Sequence, residues 1–195
     1  MDRHSELALV ARLRAGDPEA FDEVFAVFHR RLFGFLSRLS RRRDVAEDLL
    51  EETWLRLVAH ARRLRPETRL GPWLFTVARN LHASYGRSRL LEESCTVDLM
   101  GLWPLGSPSA SPFEATAASE IERRVEAALA ALPVGYREVL LLVGVEGLRP
   151  AEAAEICGVT PEALRQRLSR ARAMLARRLD DGGQARIAVL KEAIT

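Results

Sequence analysis

The chain has 195 residues, 48% of them hydrophobic and 29% charged, with a formal net charge of +2. That length supports one large domain or two small ones, each able to bury a core. Two cysteines, Cys95 and Cys157, give neither a disulfide framework nor metal-ligand spacing, and no apolar run could span a bilayer or act as a secretory signal, so the cytoplasm is the expected compartment.

Glycine and proline are sparse within the long periodic segments and no strand-like alternation occurs, so the chain reads as all-α. Ser5 to Ala15 forms a short helix ended by Gly16-Asp17-Pro18. The next helix sets Phe21, Val24, Phe25, Phe28, Leu32, Phe35, Leu36 and Leu39 on one broad face, the spine of a first core. After the basic break Arg41-Arg42-Arg43, Asp44 is expected to cap a third helix, with Glu47 three residues on. This helix is expected to bury Val45, Leu49, Thr53, Trp54, Leu57 and Val58. Its other side gathers Asp44, Glu47, Asp48, Glu51 and Glu52. Acids suit a helix start, but five exceed what the dipole uses, and the like-charged i,i+4 pairs cost stability. A basic partner surface would offset that cost, so the face reads as a protein-docking face.

A polar loop, Arg62 to Pro72, leads into a helix from Trp73 to about Arg89. There Leu74, Ala78, Leu81 and Tyr85 point inward, and Arg79, Asn80, Arg87 and Arg89 are polar or basic. From Leu90 to Ser119 periodicity dissolves into a linker that nevertheless holds an apolar knot, Leu99, Met100, Leu102, Trp103 and Leu105. Helices from Glu120 to Leu132 and Val134 to Val145 follow.

Gly147 to Arg178 then reads as a helix-turn-helix. Gly158 can take the left-handed backbone that ends one helix, Thr160 can cap the next, and Pro161 occupies its first position. Leu164, Leu168, Ala171 and Leu175 form the apolar stripe, while Arg165, Gln166, Arg167, Ser169, Arg170 and Arg172 lie elsewhere. From Thr160 to Arg178 the sole acid is Glu162, so this is not the mixed-sign face of an ordinary solvated helix. The pattern suits a recognition helix in a DNA major groove. Asp180-Asp181-Gly182-Gly183 is expected to break the chain before a short tail.

With both halves in view, the chain resembles bacterial RNA polymerase sigma factors of the sigma-70 family, extracytoplasmic-function group. Ala46 to Arg56 followed by Pro72 to Leu81 resembles the family's region 2. Ala131-Leu132-Pro133 through Leu148, then Ala153 to Thr160 and Arg165 to Arg172, resembles region 4. The resemblance implies two small helical domains joined by a flexible linker: a region 2 domain over 1–89, a linker over 90–119, a region 4 domain over 120–179 and a tail over 180–195.

It further implies that Asp44, Glu47, Asp48, Leu49, Glu51 and Glu52 dock on the coiled coil of the polymerase's largest subunit. Leu64, Arg65, Pro66, Glu67, Thr68, Trp73, Arg79 and Asn80 would read the melted −10 element, where a loop pocket and an amide suit an unstacked base. Arg165, Gln166, Arg167, Ser169 and Arg170 would read the duplex −35 element. The implied partners are core RNA polymerase (coiled coil and flap), promoter DNA and an anti-sigma factor, with no membrane insertion. Pro66 stands where the family usually has glycine, and Leu64 or Leu70 where it usually has an aromatic. An ordinary helix-turn-helix regulator with an N-terminal sensor or dimerisation domain is the alternative, but it gives the acidic helix and the Arg79-Asn80 helix no purpose. No catalytic constellation, metal cluster or cofactor motif is present at usable spacing, so no enzyme activity, metal or cofactor is expected.

Overall fold

The computed structural model describes residues 3–96 and 120–192, and no strand occurs among them. The chain divides into two compact units, Met1–Ser111 and Pro112–Thr195. In the N-terminal unit α1 spans Arg3–Ala15, α2 Pro18–Ser40, α3 Arg43–His60 and α4 Leu70–Thr96, with a single 3₁₀ turn at Ala61–Arg63. In the C-terminal unit α5 spans Glu120–Ala130, α6 Val134–Leu140, α7 Pro150–Cys157 and α8 Pro161–Glu192.

The phenylalanine-rich stripe of α2 does form the first core. Val24, Phe28, Leu32, Phe35, Leu36 and Leu39 are buried, joined by Leu57 of α3 and Leu70, Leu74 and Phe75 of α4. Phe35 meets Phe75 edge to face with centroids 5.4 Å apart. Gly71 lets α4 approach α2 closely, since a Cβ there would stand 3.4 Å from the Phe28 ring. The start of α2 is fixed from α1. Asp17 accepts from the Glu19 amide (3.0 Å) and from Arg12 Nε (2.7 Å), and Arg12 Nη1 reaches Glu23 at 2.5 Å.

Several expectations are corrected. Asp44 does not cap α3: the helix begins two residues earlier than such a cap would allow, Arg42 is its N-cap, and Asp44 instead pairs with the Arg42 guanidinium. The reason lies in the short link, where Arg41 takes a left-handed backbone (φ 60) and closes α2 through its own amide to Ser37 O. Val58 is not core but 60% exposed, because helical spacing carries it past Trp54, itself at the margin of the buried stripe Val45, Leu49, Thr53 and Leu57. Phe25 is likewise exposed, at the rim of the aromatic group it forms with Phe21 and Trp54. The helix expected to end near Arg89 continues to Thr96, into the stretch assigned to the linker. The apolar knot at Leu99, Met100, Leu102, Trp103 and Leu105 lies outside the described residues, as does the Cys95 side chain.

In the C-terminal unit Leu132, Val139, Leu141, Leu142, Ile156, Leu164 and Ala171 are buried. Two features differ from the sequence reading. The helix Val134 to Val145 is α-helical only to Leu140 and then widens into a π-helical turn, Leu141–Val145, in which the Glu146 amide bonds Leu141 O at 2.9 Å. The Asp180-Asp181-Gly182-Gly183 break does not occur, and α8 runs on to Glu192. A glycine costs a helix only about 1 kcal/mol, and an already nucleated helix propagates through it.

Candidate functional site

Three surfaces carry the residues singled out above. The first is the outer face of α3. Asp44, Glu47, Asp48 and Glu51 are exposed and Glu52 is half-buried, whereas Leu49 is buried and belongs to the core. Three of the acids are satisfied locally: Asp44 by Arg42, Glu47 by Arg43 at 2.8 Å, and Glu52 by Arg56 at 2.7 Å. The Arg42 hydrogen bond holds the Asp44 carboxyl below the usual carboxylate range. Asp48 and Glu51 carry no such partner among the described residues, so the uncompensated charge of this face rests on them. Helical spacing continues the row from Glu47 and Glu51 to Leu55 and Val58, which are 56% and 60% exposed. The sequence reading gave Leu55 no role and placed Val58 in the core. Their signal was an apolar pair in register with the acids.

The second surface is the segment between α3 and α4. Leu64 is only 5% exposed and Leu70 is fully buried, so these two pin the ends of the loop rather than face outward. Between them Arg65, Pro66 and Glu67 are exposed and Thr68 is half-buried, in a turn closed by the Thr68 amide to Arg65 O (3.0 Å). On α4 the core side is Leu74, Phe75 and Ala78. The opposite side, by helical spacing, is Trp73, Val77, Asn80, Ser84 and Arg87, half-buried to exposed. Arg79 is half-buried beside that row and its Nη1 donates to Asn80 Oδ1 at 3.3 Å. Trp73 and Asn80 thus share a face, and the Asn80 amide is exposed.

Two residues of α1 hold this loop from outside. The Leu70 amide donates to Glu6 Oε1 (2.9 Å), Arg3 Nη2 donates to Glu67 O (2.7 Å), and Arg3 Nη1 bonds Glu6 Oε2 at 2.9 Å. Neither was singled out from sequence. The available signal was an acid at the head of the apolar stripe Glu6, Leu9, Val10, Leu13.

The third surface is the helix-turn-helix. Gly158 adopts φ 65, ψ 37, and the Val159 amide closes the turn on Ala154 O at 3.0 Å. Thr160 Oγ1 then accepts from the Ala163 amide at 3.2 Å. With Leu164, Leu168 and Ala171 buried, α8 turns Arg165, Gln166, Ser169 and Arg170 outward. Arg167 departs from them: it lies on the flank of the apolar stripe and is half-buried. Arg165 is exposed but engaged, pairing with Glu162 at 3.2 Å.

Comparison with known proteins gives these three surfaces a common context. Residues 24–89 match the Sigma-70 region 2 family model and residues 122–175 match Sigma-70, region 4. The ECF RNA polymerase sigma factor EcfG of Rhodopseudomonas palustris is 39% identical over 145 residues, covering 74% of this chain and 77% of that one. The chain belongs to the extracytoplasmic-function group of the sigma-70 family. The RNA polymerase sigma factor CarQ of Myxococcus xanthus is 33% identical to this sigma factor over 160 residues, covering 82% of this chain and 88% of its own length. Among solved structures, the sigma factor RpoE of Bartonella quintana, in complex with the anti-sigma factor NepR, superposes with a TM-score of 0.69 at 28% identity. That superposition covers 82% of this chain and 96% of the other. The α3 face and the α3–α4 segment fall within the region 2 match, and the outward row of α8 within region 4.

Proposed function

We infer that this sigma factor binds core RNA polymerase and directs promoter-specific initiation, reading −35 duplex through α8 and melted −10 DNA through the α3–α4 segment. The observation that supports this best is that a single chain matches both sigma regions in order, one in each compact unit. Arg165, Gln166, Ser169 and Arg170 form an outward row of hydrogen-bond donors and acceptors suited to base edges and phosphates in a major groove. The row of Trp73 and Asn80, beside the 65–68 turn, presents a ring and an amide, which suit a base taken out of its stack. Asp48, Glu51, Leu55 and Val58 form the core-docking face, acidic at one end and apolar at the other. Leu64 and Leu49 act through packing beneath these surfaces.

The factor works as an initiation factor rather than an enzyme, in the cytoplasm where the polymerase acts. No described helix is long and apolar enough to cross a membrane. An anti-sigma protein is a further partner of this class, as NepR is for the Bartonella quintana factor. A helix-turn-helix regulator with an N-terminal sensor domain would leave the region 2 match without a role.

The test is reconstitution with sigma-free core polymerase on a linear promoter template. Promoter-specific transcripts are expected only when both are present. Tight duplex binding by the protein alone, with no core binding and no opening, would overturn the reading. Asn80→Ala should impair strand opening more than closed-complex binding, and equal loss at both steps would remove its base-capturing role.

A further inference from the structure

We propose that Glu6, with Arg3, is a positioning residue that sets −10 base selection by fixing the shape of the 64–70 loop from α1. The proposal rests on the reading of that loop as the −10 reader.

The argument begins with a misplaced charge. Along α1 the buried positions are Glu6, Leu9, Val10 and Leu13, so the acid occupies the first place in an apolar stripe, its side chain only 11% exposed. Burying a carboxylate is unfavourable unless its oxygens are bonded. Here both are, and to partners that matter. Oε1 takes the Leu70 amide, one of the α4 N-terminal donors that no helical carbonyl can reach, and Oε2 takes Arg3. The negative charge also suits the positive end of α4. Arg3 donates its second terminal nitrogen, Nη2, to the Glu67 carbonyl, in the middle of the loop.

The loop has few constraints of its own. Leu64 and Leu70 anchor its ends by burial, and one turn bond joins Thr68 to Arg65. Arg65, Pro66 and Glu67 project into solvent. The two α1 contacts, made across 64 residues of sequence, tie the exposed middle and the exit of the loop to α1. A pocket that selects a base needs its walls held before the base arrives, since a loose wall admits wrong bases nearly as well. Removing Glu6 leaves Leu9, Val10 and Leu13 to pack α1, so the expected effect is a loosened loop on a retained fold.

The experiment uses holoenzyme reconstituted from the full chain and core polymerase, on templates sharing one −35 element and differing at single −10 positions. For Glu6→Ala, the ratio of initiation rates between preferred and substituted −10 templates should fall about tenfold, the order of effect that losing one buried charge-assisted bond produces. Core affinity and −35 preference should stay unchanged. Glu6→Gln keeps an acceptor for the Leu70 amide and should restore most of the ratio. Thr68→Ala separates this proposal from the reading beneath it. If Thr68→Ala shifts −10 preference and Glu6→Ala does not, the positioning role is wrong and the loop reading stands. If neither shifts it, the loop reading falls and takes the proposal with it. Should Glu6→Ala fail to fold, the half-exposed Arg3→Ala decides: a threefold or larger drop in the ratio supports the proposal, and an unchanged ratio overturns it.

Discussion

The apolar end of the α3 face offers the sharpest test of how this sigma factor docks. Leu55 and Val58 are 56% and 60% exposed in the free chain, so most of their transferable area is still in contact with water. Truncating both to alanine removes three carbons from one and two from the other. At about 0.8 kcal/mol per buried carbon, scaled by those exposed fractions, the loss is about 1.3 plus about 1.0 kcal/mol, provided the partner covers them fully. A sum of about 2.3 kcal/mol corresponds to about fiftyfold weaker binding. On the same scale the parts of the two side chains already covered in the free chain are worth about 1.7 kcal/mol. Alanine's higher helix propensity offsets part of this, so the double substitution should lower folding stability by about 1 kcal/mol. The assay is a fluorescence titration of labelled Leu55→Ala/Val58→Ala protein with core polymerase, with thermal unfolding run alongside. Affinity within threefold of the wild type, with the protein still folded at the assay temperature, would refute burial of this face on the polymerase. A large drop in unfolding temperature would refute the premise that these residues do not support the core.

On α8, Arg170→Ala should cost about 1–3 kcal/mol at −35 sites and relax base preference there, whereas the flanking Arg167→Ala should cost less; footprinting on variant −35 sequences checks the order. Gly158→Ala should destabilise the C-terminal unit by about 1–2 kcal/mol from the left-handed backbone alone, because a Cβ there would meet nothing within 4 Å. Urea unfolding measures it, and a neutral or stabilising result would contradict the turn geometry. Arg12 holds the Asp17 carboxyl below its ordinary value of 3.8, so the stability this carboxylate adds is complete above that value and declines as pH falls through the lowered one. Asp17→Asn keeps the cap but not the charge, and its stability deficit should be constant near neutrality and shrink below about pH 4. A deficit independent of pH would exclude the ion pair as its source.

Local order was legible where residue type and helical spacing agree. Phe28, Leu32, Phe35 and Leu39 on α2, and the Gly158-to-Pro161 turn, follow directly from periodicity and backbone preference. Legibility failed where a side chain bonds across the fold. Glu6 and Arg137 are buried charged residues whose partners, Leu70 and the end of α5, cannot be inferred from spacing. The 62–72 loop shows a different failure. Its many polar residues set the local average and concealed Leu64 and Leu70, which are buried individually. Val58 was misplaced because its i+4 spacing from Trp54 suggested one stripe, whereas the buried stripe is centred on Leu49, Thr53 and Leu57 and Val58 falls beyond its edge. For the site, the outward residues of α8 were readable from its stripe, while the half-buried flank position of Arg167 required the packed helix.

Arg137 gives the C-terminal unit a property that its individual helices lack. Its Nε bonds Leu129 O at 3.0 Å and its Nη2 bonds Ala130 O and Leu132 O, each at 2.8 Å, so one guanidinium from α6 closes the carboxyl end of α5. Many helices end on a cap supplied by their own next residues and can form and fray independently. Here the terminating group arrives only when α6 is in place, and it remains charged at every accessible pH. The α5–α6 corner should consequently open and close as one event, its amides exchanging with a common protection factor rather than fraying from the end of α5.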